Sequence, residues 1–183
     1  MQATDILSSE HRVIERVIVA LEIAANKLES GQEVRPGFFI DASDFIKGFA
    51  DGCHHKKEEG VLFKSMVNNG MPSEQGPVAM MLLEHEEGRQ FTRGMHTAAQ
   101  KLQAGDASAK TEIIQNARGY ANLLRQHILK EDRILFPIAG KIIPVDQHDR
   151  VLADFETVEH EETGEGVHEK YLALAETLEK EIK

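Results

Sequence analysis

Residues 54–63 read HHKKEEGVLF and residues 127–136 read HILKEDRILF, and the two stretches share His, Lys, Glu, Leu and Phe at a constant separation of 73 residues. A second doublet recurs at nearly the same distance, since Glu10-His11 and Glu84-His85 lie 74 residues apart. Self-similarity at a fixed separation marks repeated structural units. The chain therefore reads as two similar helix pairs, each giving one His from its first helix and a His-x-x-x-Glu from its second.

Around those stretches, apolar residues recur at helical spacing almost throughout, and Gly and Pro gather at a few junctions. The pattern predicts helices over about 5–29, 38–67, 77–102 and 108–143. In the first, Leu7, Ile14, Ile18, Leu21, Ala25 and Leu28 share one stripe that Gly31 ends. Met81, Gly88, Met95, Ala99 and Leu102 form the stripe of the third, and Tyr120, Leu124, Leu135 and Ile138 that of the fourth, with Pro137 as a candidate kink. Four long helices with short connections predict an all-α, up-down-up-down four-helix bundle over residues 1–145. Residues 146–183 add one or two shorter helices, broken near Gly164 and Gly166 and packed on the outside or end of the bundle.

A chain of 183 residues with 41% hydrophobic and 28% charged residues suits one globular domain and excludes disorder, collagen and a disulfide scaffold. The 31 acidic against 21 basic residues, a net charge of -10, argue against nucleic acid and anionic membrane partners. Cys53 has no second cysteine to pair with, the N-terminal stretch shows no signal peptide, and no run approaches the roughly 18–20 apolar residues of a membrane span. A cytoplasmic location is expected. What stands out is nine His among many carboxylates in a chain without Trp.

Residues four apart on a helix share a face, so His54 with Glu58 and His127 with Glu131 are ready pairs of nitrogen and oxygen donors. His11 falls on the stripe of Leu7, Ile14 and Ile18, and His85 on that of Met81, Gly88 and Met95. Inward-facing imidazoles and carboxylates need a partner to offset their desolvation, and a metal supplies one. The doublets His54-His55 and Glu58-Glu59 leave the register ambiguous. Because the second copy has Ile128 and Asp132 at the second positions, the repeat selects His54 and Glu58, with His55 and Glu59 as second choices. The predicted ligand set is His11, His54, Glu58, His85, His127 and Glu131. His96, His148 and His168 read as surface residues, and the acidic stretch 155–171 as a solvated helix and turn with Glu159 and His160 within reach of one end of the site.

Four imidazoles with two carboxylates and no thiolate suit a pair of first-row transition ions and favour iron over an iron–sulfur cluster or structural zinc. Two six-coordinate ions need about twelve donor positions. Four His, two bridging Glu and one oxo or hydroxo bridge leave roughly one position open on each ion.

The ordered recurrence of His11, HHKKEEGVLF, LLEHEEGR and HILKEDRILFP over about residues 5–140 resembles the hemerythrin-like, or HHE cation-binding, family. The resemblance implies an antiparallel bundle holding two iron ions with an oxo or hydroxo bridge, with the four His above as terminal ligands and Glu58 and Glu131 as bridging carboxylates. Oxygen-carrying relatives have Asp one residue later, where Asp132 stands here. They also have a fifth His four residues after the one matching His85, where this chain has Arg89, and that departure implies an opened site on one ion. Arg89 has two readings, a hydrogen-bond donor to a bound ligand or bridging carboxylate, and a surface ion pair with an acid such as Glu86. Glu15, one turn beyond His11, is either a replacement donor or a surface residue. The functions implied are binding or sensing of a small diatomic ligand, oxygen or nitric oxide, or alternatively redox turnover of peroxide or nitric oxide, or donation of iron to damaged iron centres. The redox readings add a redox partner protein to these expectations.

Overall fold

The structure, a computed structural model, describes residues 2–183, residue 162 by its backbone alone, and these residues form helices and turns with no strand among them. Helix α1 spans Ala3–Glu29. The run 36–68, here α2, winds as α-helix over Pro36–Phe45, as π-helix over Ile46–His55 and Glu58–Leu62, and as α-helix again over Phe63–Asn68. Helix α3 spans Pro77–Gln103. The run 109–142, α4, is α-helical over Ala109–Lys130, π-helical over Glu131–Leu135 and α-helical over Phe136–Ile142. Pro137 lies just after the π-helical turn, at the start of that last α-helical segment, and the helix continues through it.

After a short 3-10 turn at Val145–Gln147, α5 runs over 148–163, with α-helical His148–Thr157 followed by π-helical Val158–Thr163. Gly164 (φ 106) and Gly166 (φ 76) then make the turn into α6, Val167–Ile182, with backbone angles that side chains disfavour. The bundle packs α1 on α4, α4 on α3 and α3 on α2, while α6 lies against both α1 and α2. No helix among the described residues is long and apolar enough to cross a membrane.

Every bundle helix carries the same vertical order: apolar, polar, apolar. One core holds Ile14 of α1, Phe49 of α2, Met95 of α3 and Leu124 of α4, and the other holds Leu7, Leu62, Met81 and Leu135 of the same helices. Between them on each helix lie His11, His54 with His55 and Glu58, His85, and His127 with Glu131, all buried. Each fully buried large apolar side chain contributes about 1.5–3 kcal/mol, so the two cores stabilise the bundle around a layer that is unfavourable unless its polar groups are paired. Phe155 of α5 joins the second core, seating residues beyond the bundle against its end.

Candidate metal centre

The buried layer draws on all four bundle helices. His54 and His55 close the π-helical segment Ile46–His55, and Glu58 and Glu131 each begin a further π-helical turn. A π turn is wider than an α turn and recurs at functional sites. Here it turns two consecutive imidazoles inward, with His54 and His55 only 1% and 2% exposed.

Two groups of donors result. His11, His54, Glu58 and Glu131 form one, and His55, Glu58, His85 and His127 the other, with the donor atoms of each group within 4.8 Å of one another. Glu58 spans them, Oε1 lying 3.3 Å from His54 Nε2 and Oε2 3.4 Å from His85 Nε2. Glu131 does the same, with Oε2 3.1 Å from His11 Nε2 and Oε1 3.3 Å from His127 Nε2. Despite these approaches, Nε2 of His11, His54 and His55 and all four carboxylate oxygens of Glu58 and Glu131 are buried without a hydrogen bond. The Nε2 atoms of His85 and His127 face each other at 3.1 Å.

The other edge of each imidazole explains this geometry. Nδ1–H of His11 donates to Asp132 (2.9 Å), of His54 to Glu10 (2.9 Å), of His55 to Asp51 (2.9 Å), of His85 to Glu59 (2.7 Å) and of His127 to Glu84 (2.9 Å). With the proton held on Nδ1 by a carboxylate, each Nε2 presents a lone pair to the interior, the arrangement that fixes a metal-ligating His and raises its basicity. Five imidazole nitrogens and two carboxylates converging on the interior, three of the nitrogens and all four oxygens without a hydrogen bond, fit a pair of cations. The outer carboxylates are themselves tied: Asp132 to Arg12 and Ser8, Glu10 to Lys57, Glu84 to Lys130, and Glu59 to Arg89.

Without a cation, protons take its place. Burial disfavours charge on His54 and His127, but adjacent Glu58 and Glu131 outweigh it and push them up to about 10 and about 9. Burial, reinforced by the charge of His85, instead holds His55 well below the usual histidine range, so His55 is neutral. Burial raises Asp51 to about 6.

All six ligands expected from the repeat are thus in the layer, and His55, set aside by the repeat, is there with them, its ring stacked on His85 at 3.8 Å. Glu59 lies one layer out. Arg89 points away from the donors, with Nη2 2.6 Å from Glu59, Nε 3.5 Å from Asp51 and Nη1 3.9 Å from Glu86. Glu15 pairs outward with Arg12 at 3.1 Å. Glu159 does reach the end of the site, accepting from Lys57 at 3.1 Å, whereas His160 is exposed. His96, His148 and His168 are half-buried and outside the layer. The outer carboxylates Glu10 and Glu84 were visible in the repeated Glu-His doublet, but Asp51 carries no repeat signal at all.

The family model described as the hemerythrin HHE cation-binding domain matches residues 2–139. Uncharacterised proteins of Mycobacterium bovis and of two strains of Mycobacterium tuberculosis are each 21% identical over 180 residues, covering 98% of this chain and 70% of the relative. No solved structure matches significantly.

Proposed function

Because the chain belongs to the hemerythrin HHE cation-binding family, we propose that its buried layer holds two iron ions, bridged by Glu58, Glu131 and an oxo or hydroxo group, and that it binds or senses oxygen or nitric oxide. The observation that supports this is the unequal division of donors. His11 and His54 serve one ion; His55, His85 and His127 serve the other; and each Glu gives one oxygen to each. With about six positions per ion, the three-His ion is filled once a bridging oxygen is counted, and the two-His ion keeps one vacancy. This replaces the sequence expectation of a vacancy on both ions, because His55 supplies the imidazole that Arg89 does not.

Iron held by these residues would supply reversible electron transfer to a bound diatomic molecule. This chain's own residues fix the imidazoles through Nδ1, flank the layer with an apolar core on either side, and set the buried aliphatic Ile128, 2% exposed, at the repeat position that His55 holds in the other half. An aliphatic neighbour suits a neutral diatomic ligand better than a hydrated anion. The proposal also takes the protein to act in the cytoplasm, without a nucleic acid or membrane partner, on its net charge of -10 and unpaired thiol.

Anaerobic iron titration followed by oxygen, nitric oxide and peroxide, read by absorption spectroscopy, tests the proposal. The expected result is saturation near two irons per chain and a persistent adduct with oxygen or nitric oxide. Saturation at clearly fewer irons breaks the two-ion reading, and fast peroxide consumption without any persistent adduct replaces binding with redox turnover.

A further inference from the structure

Residues 146–183 lie outside the matched domain, yet they close one end of the metal layer. Lys57 is fully buried and donates to Glu10, the carboxylate that holds His54 Nδ1. Its second acceptor comes from the extension: Glu159 Oε2, at 3.1 Å. His168 stands over this pair, with Nδ1 3.5 Å from Glu159 Oε1 and 3.9 Å from Cys53 Sγ. The π-helical segment that carries both His54 and His55 is shaped to receive these residues. Thr163 Oγ1 donates to the Gly52 carbonyl at 3.1 Å, and a Cβ on Gly48 would lie 1.9 Å from Tyr171 Cζ.

The other half of the repeat lacks this cover. Lys130 makes the equivalent contact with Glu84, but its side chain is 38% exposed. A buried ammonium with one acceptor leaves donors unsatisfied, so a second carboxylate is what makes full burial of Lys57 tolerable. Glu10, Cys53, Glu159 and His168 are close enough to ligate a cation, but the Lys57 ammonium already bridges Glu10 and Glu159.

We propose that the extension is a working part of the metal centre, with Glu159 as a positioning residue. It fixes Lys57, Lys57 fixes Glu10, and Glu10 fixes the imidazole of His54, so the extension selectively retains the ion held by His11 and His54. This rests on the two-ion reading above. Loss of a direct outer partner typically costs about 10–100-fold in metal affinity. Glu159 acts one step further out, and its loss is expected to speed release of that ion by about threefold to tenfold.

The experiment loads the full chain with cobalt(II) and follows release to a chelator by visible absorption. Glu10→Gln identifies the phase belonging to the His54 ion. Glu159→Gln, which keeps the volume, and Gly48→Ala, which displaces Tyr171, should each accelerate that phase alone. Glu181→Gln, which unpins α6 from Arg35 far from Lys57, should leave both phases unchanged. If Glu159→Gln changes neither phase, or if Glu181→Gln accelerates release as much, the proposal is overturned. A wild-type chain that loads fewer than two ions breaks the two-ion reading instead, and the Glu159 comparison is then read on the single remaining phase.

Discussion

Within the bundle the two halves of the metal layer repeat almost bond for bond, and there they part company at one set of three residues. Glu10, His54 and Lys57 are joined as Glu84, His127 and Lys130 are, and His11 meets Asp132 as His85 meets Glu59. Arg12 pairs with Asp132 and Arg89 with Glu59, but from different repeat positions, since Arg12 aligns with Glu86 and Arg89 with Glu15. The break is His55 with Asp51 and Arg89, for which the other half has Ile128, Leu124 and Glu15. All three change together, because an added imidazole needs a carboxylate on Nδ1 and that carboxylate needs a cation outside it. The repeat therefore supplies what the two donor groups share, and these three positions supply what separates them.

What the halves share is broken most severely at Glu58, whose two oxygens serve both donor groups. Glu58→Gln should weaken both ions by at least the roughly 100-fold seen when an outer partner is lost, leaving purified protein nearly metal-free by elemental analysis. Retention of one ion at full affinity would show that the carboxylate belongs to one half alone.

The difference itself is tested by making the halves alike. His55→Ile copies Ile128 and should weaken only the three-His ion, by about 10–100-fold, so that competition with a chelator leaves one ion per chain. Both ions weakening equally would show that the two sites do not divide at His55.

Lys57 and Lys130 sharpen the comparison through stability. Lys57→Met leaves buried Glu10 with only His54 as its cationic partner and should cost the metal-free protein about 3 kcal/mol in urea unfolding, the low end for a broken buried pair because Glu159 is 31% exposed. Lys130 is partly exposed, so solvent screening limits Lys130→Met to about 1 kcal/mol or less. Equal costs would mean that the extension contributes nothing to the burial of Lys57.

The fold was legible because apolar periodicity survives duplication, and Leu7, Ile14, Met81 and Leu135 all fall in the cores their stripes predict. His11, His85, His127 and Glu131 were legible because the repeat restates them. His55 was not, for a physical reason: face assignment assumes α winding, and the π-helical segment ending at His55 brings consecutive residues to one side. The repeat pointed away from it as well, since Ile128 stands at the matching position of the other copy. Asp51 and Arg89 pair across helices, through Glu59 in part, and no spacing along one helix announces such a contact.

Acidity and metal affinity should run in opposite directions. His54 and His127 rise to about 10 and about 9 in the metal-free chain, above their usual 6.5, so their pairing with Glu58 and Glu131 stabilises fully below about pH 6.5. That contribution fades as pH climbs through about 9 to 10. Metal requires these imidazoles deprotonated, so affinity climbs over the same range and uptake releases protons. Urea midpoints of the metal-free chain and calorimetric titrations in buffers of different ionisation enthalpy measure the two trends, and parallel rather than opposed trends would contradict the assignment.

The smallest effect is expected at Arg89, where the two readings of this residue separate. Its guanidinium lies 2.6 Å from Glu59 and 3.5 Å from Asp51 and is 28% exposed, so it steadies the partners of His85 and His55 from a partly solvated position. Such an ion pair is worth about 1 kcal/mol at most, or roughly fivefold in an equilibrium constant. Arg89→Gln should therefore weaken the three-His ion by about twofold to fivefold, leave the two-His ion unchanged and leave the lifetime of an oxygen or nitric oxide adduct within the same factor. A lifetime shortened more than about tenfold with both ions still bound would place the guanidinium against the ligand itself, since an outer ion pair of this strength has too little free energy to produce it.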